Sequence, residues 1–165
     1  MQNPYNYTFE EEKRTYQFIT KNNITYSVAF LEDETLNSVS TTDIEITNVY
    51  QVIIVKISDE IEPLDSLVRL TIDNIINDFF KSRENSLIYV CSHEQDKDQI
   101  RSLVFERWYQ SSQHKDVITK IDNIIPMDDN STLYTSLLYH NDNPNINYIL
   151  TSFNEIEEAL NKEDE

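Results

Sequence analysis

The chain has 165 residues, of which 39% are hydrophobic and 11% are aromatic, so it is long and apolar enough to fold around a core. It holds 30 acidic and 13 basic residues, and the resulting net charge of −17 disfavours binding to nucleic acid or to anionic membranes. The sequence contains no glycine, which excludes the P-loop, the Rossmann dinucleotide turn, the nucleophile elbow and the standard EF-hand loop.

The chain ends and the cysteine content indicate where the protein works. Cys91 is the single cysteine, so the chain forms no internal disulfide and no multi-cysteine zinc site. Residues 1–20 lack the apolar core of a signal peptide, and no run of about 18 apolar residues predicts a membrane helix. We expect one cytoplasmic domain over residues 1–165, with a polar N-terminal end at 1–12 and an acidic C-terminal end at 161–165. We expect no metal, no cofactor and no membrane partner.

The first predicted elements are strands. β-Branched and aromatic residues partly alternate over residues 14–20 and 24–31, and the asparagines of residues 21–23 suit the positive φ of a hairpin turn without glycine. The polar stretch 32–47 predicts a loop, and the apolar run 49–57 predicts a mostly buried strand. One face of the second strand carries Tyr26, Val28 and Phe30, and the other carries Thr25, Ser27 and Ala29.

Two helices separate the early strands from the late ones. Pro63 and apolar residues at three- and four-residue steps predict a helix over 63–81. A short apolar run predicts a strand at 86–91, and a second helix is expected over about 96–112.

The C-terminal third predicts strands at 116–125 and 132–140, joined by a turn at 126–130. A loop follows, then a short strand near 147–151 and a terminal helix that opens at Ser152 with capping-box spacing. The predicted order βββαβαβββα indicates an α+β fold with a mixed, mainly antiparallel sheet.

The densest polar cluster follows the strand at 86–91. Its side chains His93, Glu94 and Asp96 are plausible ligands or contacts at the end of a central strand. Their spacing matches no known ligand pattern, so a solvated loop with a helix cap is the favoured interpretation.

The second predicted helix carries a candidate binding set of arginine and aromatic residues, the types that dominate protein interfaces. The alternative is that these side chains only complete the edge of a core helix. The set comprises Arg101, Phe105, Arg107, Trp108 and Tyr109.

Two resemblances accompany these patterns. Residues 89–91, the acidic loop through Asp96, the set on the second helix and the apolar helix 71–80 resemble an uncharacterised bacterial family, and the likeness extends over about residues 10–150. Such a family assigns no reaction.

The order of elements, and residues 104–107, are similar to the GNAT-type N-acetyltransferases, a resemblance that implies a coenzyme A site before the first helix. The glycine loop of that superfamily is replaced here by residues 58–63 with three carboxylates, which repel a pyrophosphate. Phe105 stands where a tyrosine general acid would be, and it has no proton to give.

Together these observations predict a small acidic, non-catalytic domain on a degenerate acyltransferase-like scaffold, which binds a protein partner either through the second predicted helix or through its acidic surface. One alternative is an acyl-CoA-dependent N-acyltransferase with an atypical glycine-free cofactor loop. A second alternative is a protein whose acidity mimics nucleic acid.

Overall fold

The computed structural model describes residues 2–61, 63–91, 106, 109–110, 115–127, 130 and 132–163. The strands are β1 (Tyr7–Glu10), β2 (Thr15–Ile19), β3 (Thr25–Glu32), β4 (Val49–Lys56), β5 (Ser86–Cys91), β6 (Ile118–Pro126) and β7 (Thr132–His140). The helices are α1 (Thr35–Val39), α2 (Ser66–Phe79) and α3 (Ile146–Glu163). Residues 106, 109 and 110 are also helical, within the segment predicted as the second helix.

The seven strands are neighbours in the order β1-β2-β3-β4-β5-β7-β6. The strand pairs β1–β2, β2–β3, β5–β7 and β6–β7 are antiparallel. β4 pairs with β5 in parallel at two positions, Val49 with Ser86 and Tyr50 with Leu87. The predicted α+β class with a mixed, mainly antiparallel sheet is therefore confirmed.

The chain divides into two compact units. Unit 1 comprises Met1–Leu31 and Gln51–Ser82, and it holds β1, β2, most of β3 and β4, and α2. Unit 2 comprises Glu32–Tyr50 and Arg83–Glu165, and it holds α1, β5, β6, β7 and α3. In the described part of the chain, no helix combines the length and the apolar character that crossing a bilayer requires.

Asparagine occupies three of the four described positions with positive φ, and Arg14, with a φ of 48°, occupies the fourth in the β1–β2 turn. Asn23, Asn48 and Asn130 have φ values of 61°, 61° and 67°, in the left-handed region that glycine usually occupies. Asn23 lies in the β2–β3 hairpin, where its N–H donates to the carbonyl of Thr20 at 2.9 Å. The predicted glycine-free turn at residues 21–23 is thus confirmed.

Helix α2 begins later than its sequence predicts. Asp65 has extended backbone angles (φ −132°, ψ 104°), and its carboxylate accepts the N–H of Leu67 at 2.9 Å. This is N-cap geometry, so the helix starts at Ser66 rather than at Pro63. It ends at Phe79, two residues before the predicted end at 81.

The predicted strand near 147–151 is wrong, because these residues form the start of α3. The side-chain carbonyl of Asn143 accepts the N–H of Asn145 at 2.9 Å and caps the chain just before the helix. Ile149, Phe153 and Ile156 then fall on one helical face and are fully buried in the core of unit 2. Helical spacing from Ile149 onward outweighs the local strand propensity.

Two further segments differ from their predictions. The loop predicted at 32–47 contains α1, whose Leu36 is buried in the core of unit 2. The polar end predicted at 1–12 contains β1, which pairs with β2. Both elements are short, and contacts within their own unit hold them in place.

Candidate functional site

The apolar strand β4 is a strand of unit 1 whose side chains stay partly exposed. Val52, Ile53, Ile54 and Val55 are four consecutive β-branched residues without an intervening charge, proline or glycine. Ile53 is 39% exposed, and Ile54 and Val55 are each 46% exposed. Ile57, just past the strand, is 52% exposed. An exposed run of this composition is a typical aggregation hazard unless another surface covers it.

The two faces of the unit 1 sheet differ in what covers them. α2 packs on one face, where the ring of Phe79 stacks on that of Phe30 with centroids 4.2 Å apart. Phe18 and Val28 are buried on the same face. The predicted alternation of the second strand is confirmed, since Val28 and Phe30 point into this covered side.

The opposite face is built from the alternate residues of β1, β2, β3 and β4, and on β1 it carries Thr8 and Glu10, the partners of Gln17 and Thr15. The N–H of Ile57 donates to the carbonyl of Thr25, and the N–H of Asp33 donates to that of Val49, each at 2.8 Å, so β3 and β4 run antiparallel. Alternation along β2, β3 and β4 then places eleven of their side chains, including Ile57 just past β4, on this face. We call these eleven positions, without those of β1, the uncharged face: Thr15, Gln17, Ile19, Thr25, Ser27, Ala29, Leu31, Gln51, Ile53, Val55 and Ile57.

None of these eleven side chains is charged, in a chain in which 26% of the residues are charged. Its apolar members lie mainly along β4, with Ile19 and Leu31 exposed on the neighbouring strands. Solvent-facing sheet surfaces normally alternate apolar residues inside with polar and charged residues outside. The composition is instead typical of a sheet face that another molecule covers.

The prediction that residues 49–57 form a mostly buried strand is therefore right about the strand and wrong about its burial. Val49 and Tyr50, which pair with β5, are buried, but the pairing goes no further along β4. On the uncharged face, register places Ala29 beside Ile53 and Ser27 beside Val55, and side chains this small leave both exposed.

The loop and helix start that the GNAT resemblance assigns to coenzyme A do not fit that cofactor here. The N–H of Leu67 already donates to the Asp65 carboxylate, and the hydroxyl of Tyr5 donates to the same carboxylate at 2.5 Å. The hydrogen bond from Tyr5, with that from Leu67, holds the pKa of Asp65 below its usual value, so the cap is an anion. The ammonium of Lys56 donates a hydrogen bond to the carbonyl of Glu60. A pyrophosphate at this helix start would meet a fixed negative charge.

A second tyrosine fastens the N-terminal segment to α2. The hydroxyl of Tyr7 donates to Asp78, which also pairs with Lys81 at 2.6 Å. Burial, together with the bond to Asp78, raises the pKa of Tyr7. Burial alone would raise the pKa of Asp78, but the hydrogen bonds from Lys81 and Tyr7 outweigh it and lower that pKa. These contacts have a structural role.

In unit 2, an ion cluster joins the helical residue Glu106 to β6. The Lys120 ammonium contacts the carboxylates of Glu106, at 2.5 Å, and Asp122, and its side chain is only 2% exposed. The hydroxyl of Ser136 donates to Asp122 at 2.6 Å. The hydrogen bond from Lys120, helped by Gln110, lowers the pKa of Glu106.

Most of the residues proposed from sequence lie outside the described residues, namely Arg101, Phe105, Arg107 and Trp108 of the helix and His93, Glu94 and Asp96 of the polar loop. Tyr109 is described: it is half-buried, and its hydroxyl donates to the carbonyl of Ile118 at 2.7 Å.

The uncharged face was missed from sequence, although one signal was present. Three neighbouring strands each carry an uncharged set at alternate positions, but the pairing that puts these sets side by side is visible only in the fold.

One family model matches the chain. It is described as "Family of unknown function (DUF6169)" and covers residues 64–155, which is more than half of the chain. No curated protein and no solved structure matches.

Proposed function

The chain belongs to this family of unknown function, and we propose that it is a non-catalytic module that binds a basic partner protein through the uncharged face. The observation that supports the proposal is the uncharged face of unit 1, which is exposed along β4 and is bordered on β1 by Glu10. Its apolar row runs along β4, and polar but neutral side chains surround that row.

The face can supply a useful binding free energy. Complete burial of a Val, Leu or Ile side chain contributes about 1.5–3 kcal/mol, and side chains that are already half buried contribute roughly half of that. The five exposed apolar residues Ile19, Leu31, Ile53, Val55 and Ile57 therefore contribute about 5 kcal/mol when a partner covers them. This only offsets the rigid-body entropy of association, so a stable complex needs further contacts.

The net negative charge of the chain supplies the further attraction and favours a basic partner protein. Unit 1 holds nine acidic and six basic residues, whereas unit 2 holds 21 acidic and seven basic residues. The net charge of the whole chain, −17, attracts a basic protein over long range and repels an acidic one. The partner surface that fits is an apolar patch on a protein of net positive charge.

Catalysis is the weaker alternative. An acyl-CoA-dependent N-acyltransferase needs an anion site for its cofactor, and the Asp65 carboxylate at the start of α2 weighs against one. We expect calorimetric titration with acetyl-CoA to give no saturable heat. Mimicry of nucleic acid draws no support from the uncharged face, which carries no carboxylate.

The direct test compares Val55→Lys with Ile54→Lys. The two residues are adjacent on β4 and equally exposed, but only Val55 lies on the uncharged face. Tagged wild type and both variants are captured from native cells, and co-purified proteins are quantified by mass spectrometry. A lysine at position 55 buries an unpaired ammonium in the complex, so we expect the basic partner to be depleted at least ~10-fold with Val55→Lys and retained with Ile54→Lys.

Two results would overturn the proposal. One is an unchanged set of co-purified proteins with Val55→Lys, after circular dichroism shows that both variants are folded. The other is a dimer of the purified wild type that Val55→Lys dissociates in sedimentation, because the occupant of the face would then be a second copy of the chain.

A further inference from the structure

Unit 2 contains a pocket of about 100 Å³ beside the first turn of α3. The segment 44–47 forms one wall, and Tyr148 and Ile149 of α3 form the other. Ile46 and Ile149 are buried, whereas Ile44 and Tyr148 are 44% and 43% exposed and stand at the mouth. The volume is roughly that of three water molecules, so the pocket accommodates one side chain rather than a cofactor.

The pocket has one charged side chain in its lining, Glu45. Within the described ranges, no lysine or arginine forms an ion pair with Glu45. The partial positive charge at the start of α3 amounts to about half an elementary charge, less than the full negative charge of Glu45. The excess of acidic residues in unit 2 strengthens the attraction for a cation.

The remaining lining suits the stem of a long basic side chain. Lysine and arginine pack their methylene groups along apolar surface and keep the charged head at its edge, where Ile44 and Ile46 provide such a surface. An aromatic ring attracts a cation over its face, and a carboxylate forms a charge-assisted hydrogen bond with it. Tyr148 and Glu45 offer these two groups in one pocket.

We infer that this pocket binds a single basic side chain, a lysine or an arginine, of the partner protein. The inference deepens the proposed function, because the claim that a partner protein supplies this side chain rests on that proposal. The pocket itself lies in unit 2 and does not include the uncharged face. A neutral apolar side chain would gain nothing from the charge of Glu45, and an acidic one would be repelled.

The pocket can be tested without the partner. ¹⁵N-labelled full-length protein is titrated with acetyl-arginine amide, acetyl-lysine amide and the neutral acetyl-norleucine amide, and amide shifts are followed by NMR. We expect saturable shifts at residues 44–47 and 148–149 with one or both basic probes. The two basic probes distinguish a guanidinium from an ammonium ligand.

Glu45→Gln is the matched variant, because Glu45 is exposed and its replacement leaves the core untouched. We expect it to weaken the binding of the basic probes at least ~5-fold, because one charge-assisted contact is lost. Equal shifts with norleucine, no shifts with either basic probe, or unchanged affinity in Glu45→Gln would overturn the inference. Val55→Lys should bind the probes like wild type, so failure of the pocket and failure of the uncharged face give different results.

Discussion

Replacement of Lys120 by methionine tests whether the ion cluster of unit 2 stabilises the fold through charge or through packing. The Lys120 side chain is 2% exposed, whereas its partners Glu106 and Asp122 are 40% and 49% exposed. Methionine keeps an unbranched stem of similar length and removes the ammonium. The two carboxylates then regain water, so the cost of a fully buried orphan charge does not apply.

The magnitude follows from this exposure. Two ion pairs to half-exposed carboxylates contribute about 0.2–1 kcal/mol each, so Lys120→Met should lower the free energy of unfolding by roughly 0.4–2 kcal/mol. Lys120→Ala also removes about three buried methylene groups, at about 0.8 kcal/mol each, and should cost roughly 3–4 kcal/mol. Urea unfolding at pH 7, followed by circular dichroism, measures both values.

The pH dependence gives a second readout of the same cluster. Because Lys120 holds the pKa of Glu106 below its unfolded value, this stabilisation is present above the ordinary glutamate pKa and is lost as the pH falls below it. The difference in unfolding free energy between wild type and Lys120→Met should therefore shrink from pH 7 to pH 3. Equal destabilisation by methionine and alanine, or a constant difference across this range, would refute the reasoning.

The remaining predictions concern a turn, a cap and the core. Asn23 has a φ of 61°, so Asn23→Ala should cost about 1 kcal/mol while Asn23→Gly costs less; thermal unfolding with the reverse order would contradict this. Tyr5→Phe removes the hydrogen bond that chiefly lowers the pKa of Asp65, so the variant should lose less stability than wild type between pH 5 and pH 3; an identical pH profile would exclude the contact. Phe153 is fully buried, so Phe153→Ala should cost about 3–5 kcal/mol in urea unfolding, and a loss below about 1 kcal/mol would contradict its place in the core.

The sequence predicts those elements whose own side chains carry a strong pattern. β2, β3, β5 and β7 match their predicted segments closely, because strand propensity and tertiary pairing agree there. The sequence predicts a strand and a separate helix in the region where the structure has the single helix α3. Asn143 and Asn145 are typical of a loop, and only the fold shows that they form a cap just before this helix. Its apolar spacing becomes evident only once Ile149 is placed with Phe153 and Ile156 in the core.

The burial of β4 is the wrong prediction that is most informative. A continuous apolar run predicts a strand that is covered on both sides, and the pattern does not say which molecule provides the cover. Ile53 and Val55 remain 39% and 46% exposed, since their neighbours Ala29 and Ser27 are small. The candidate site therefore depends on strand pairing between segments far apart in the chain, which local sequence does not reveal.

Site-specific photo-crosslinking tests the central claim, that the uncharged face binds a partner, most directly. A benzophenone amino acid is placed at position 55 or at position 54, which have equal exposure on opposite faces, and the protein is irradiated in its native cells. Position 55 should yield a discrete cross-linked product with a basic protein, and position 54 should yield little or none. Products of equal intensity at both positions, or none at position 55, would contradict the account.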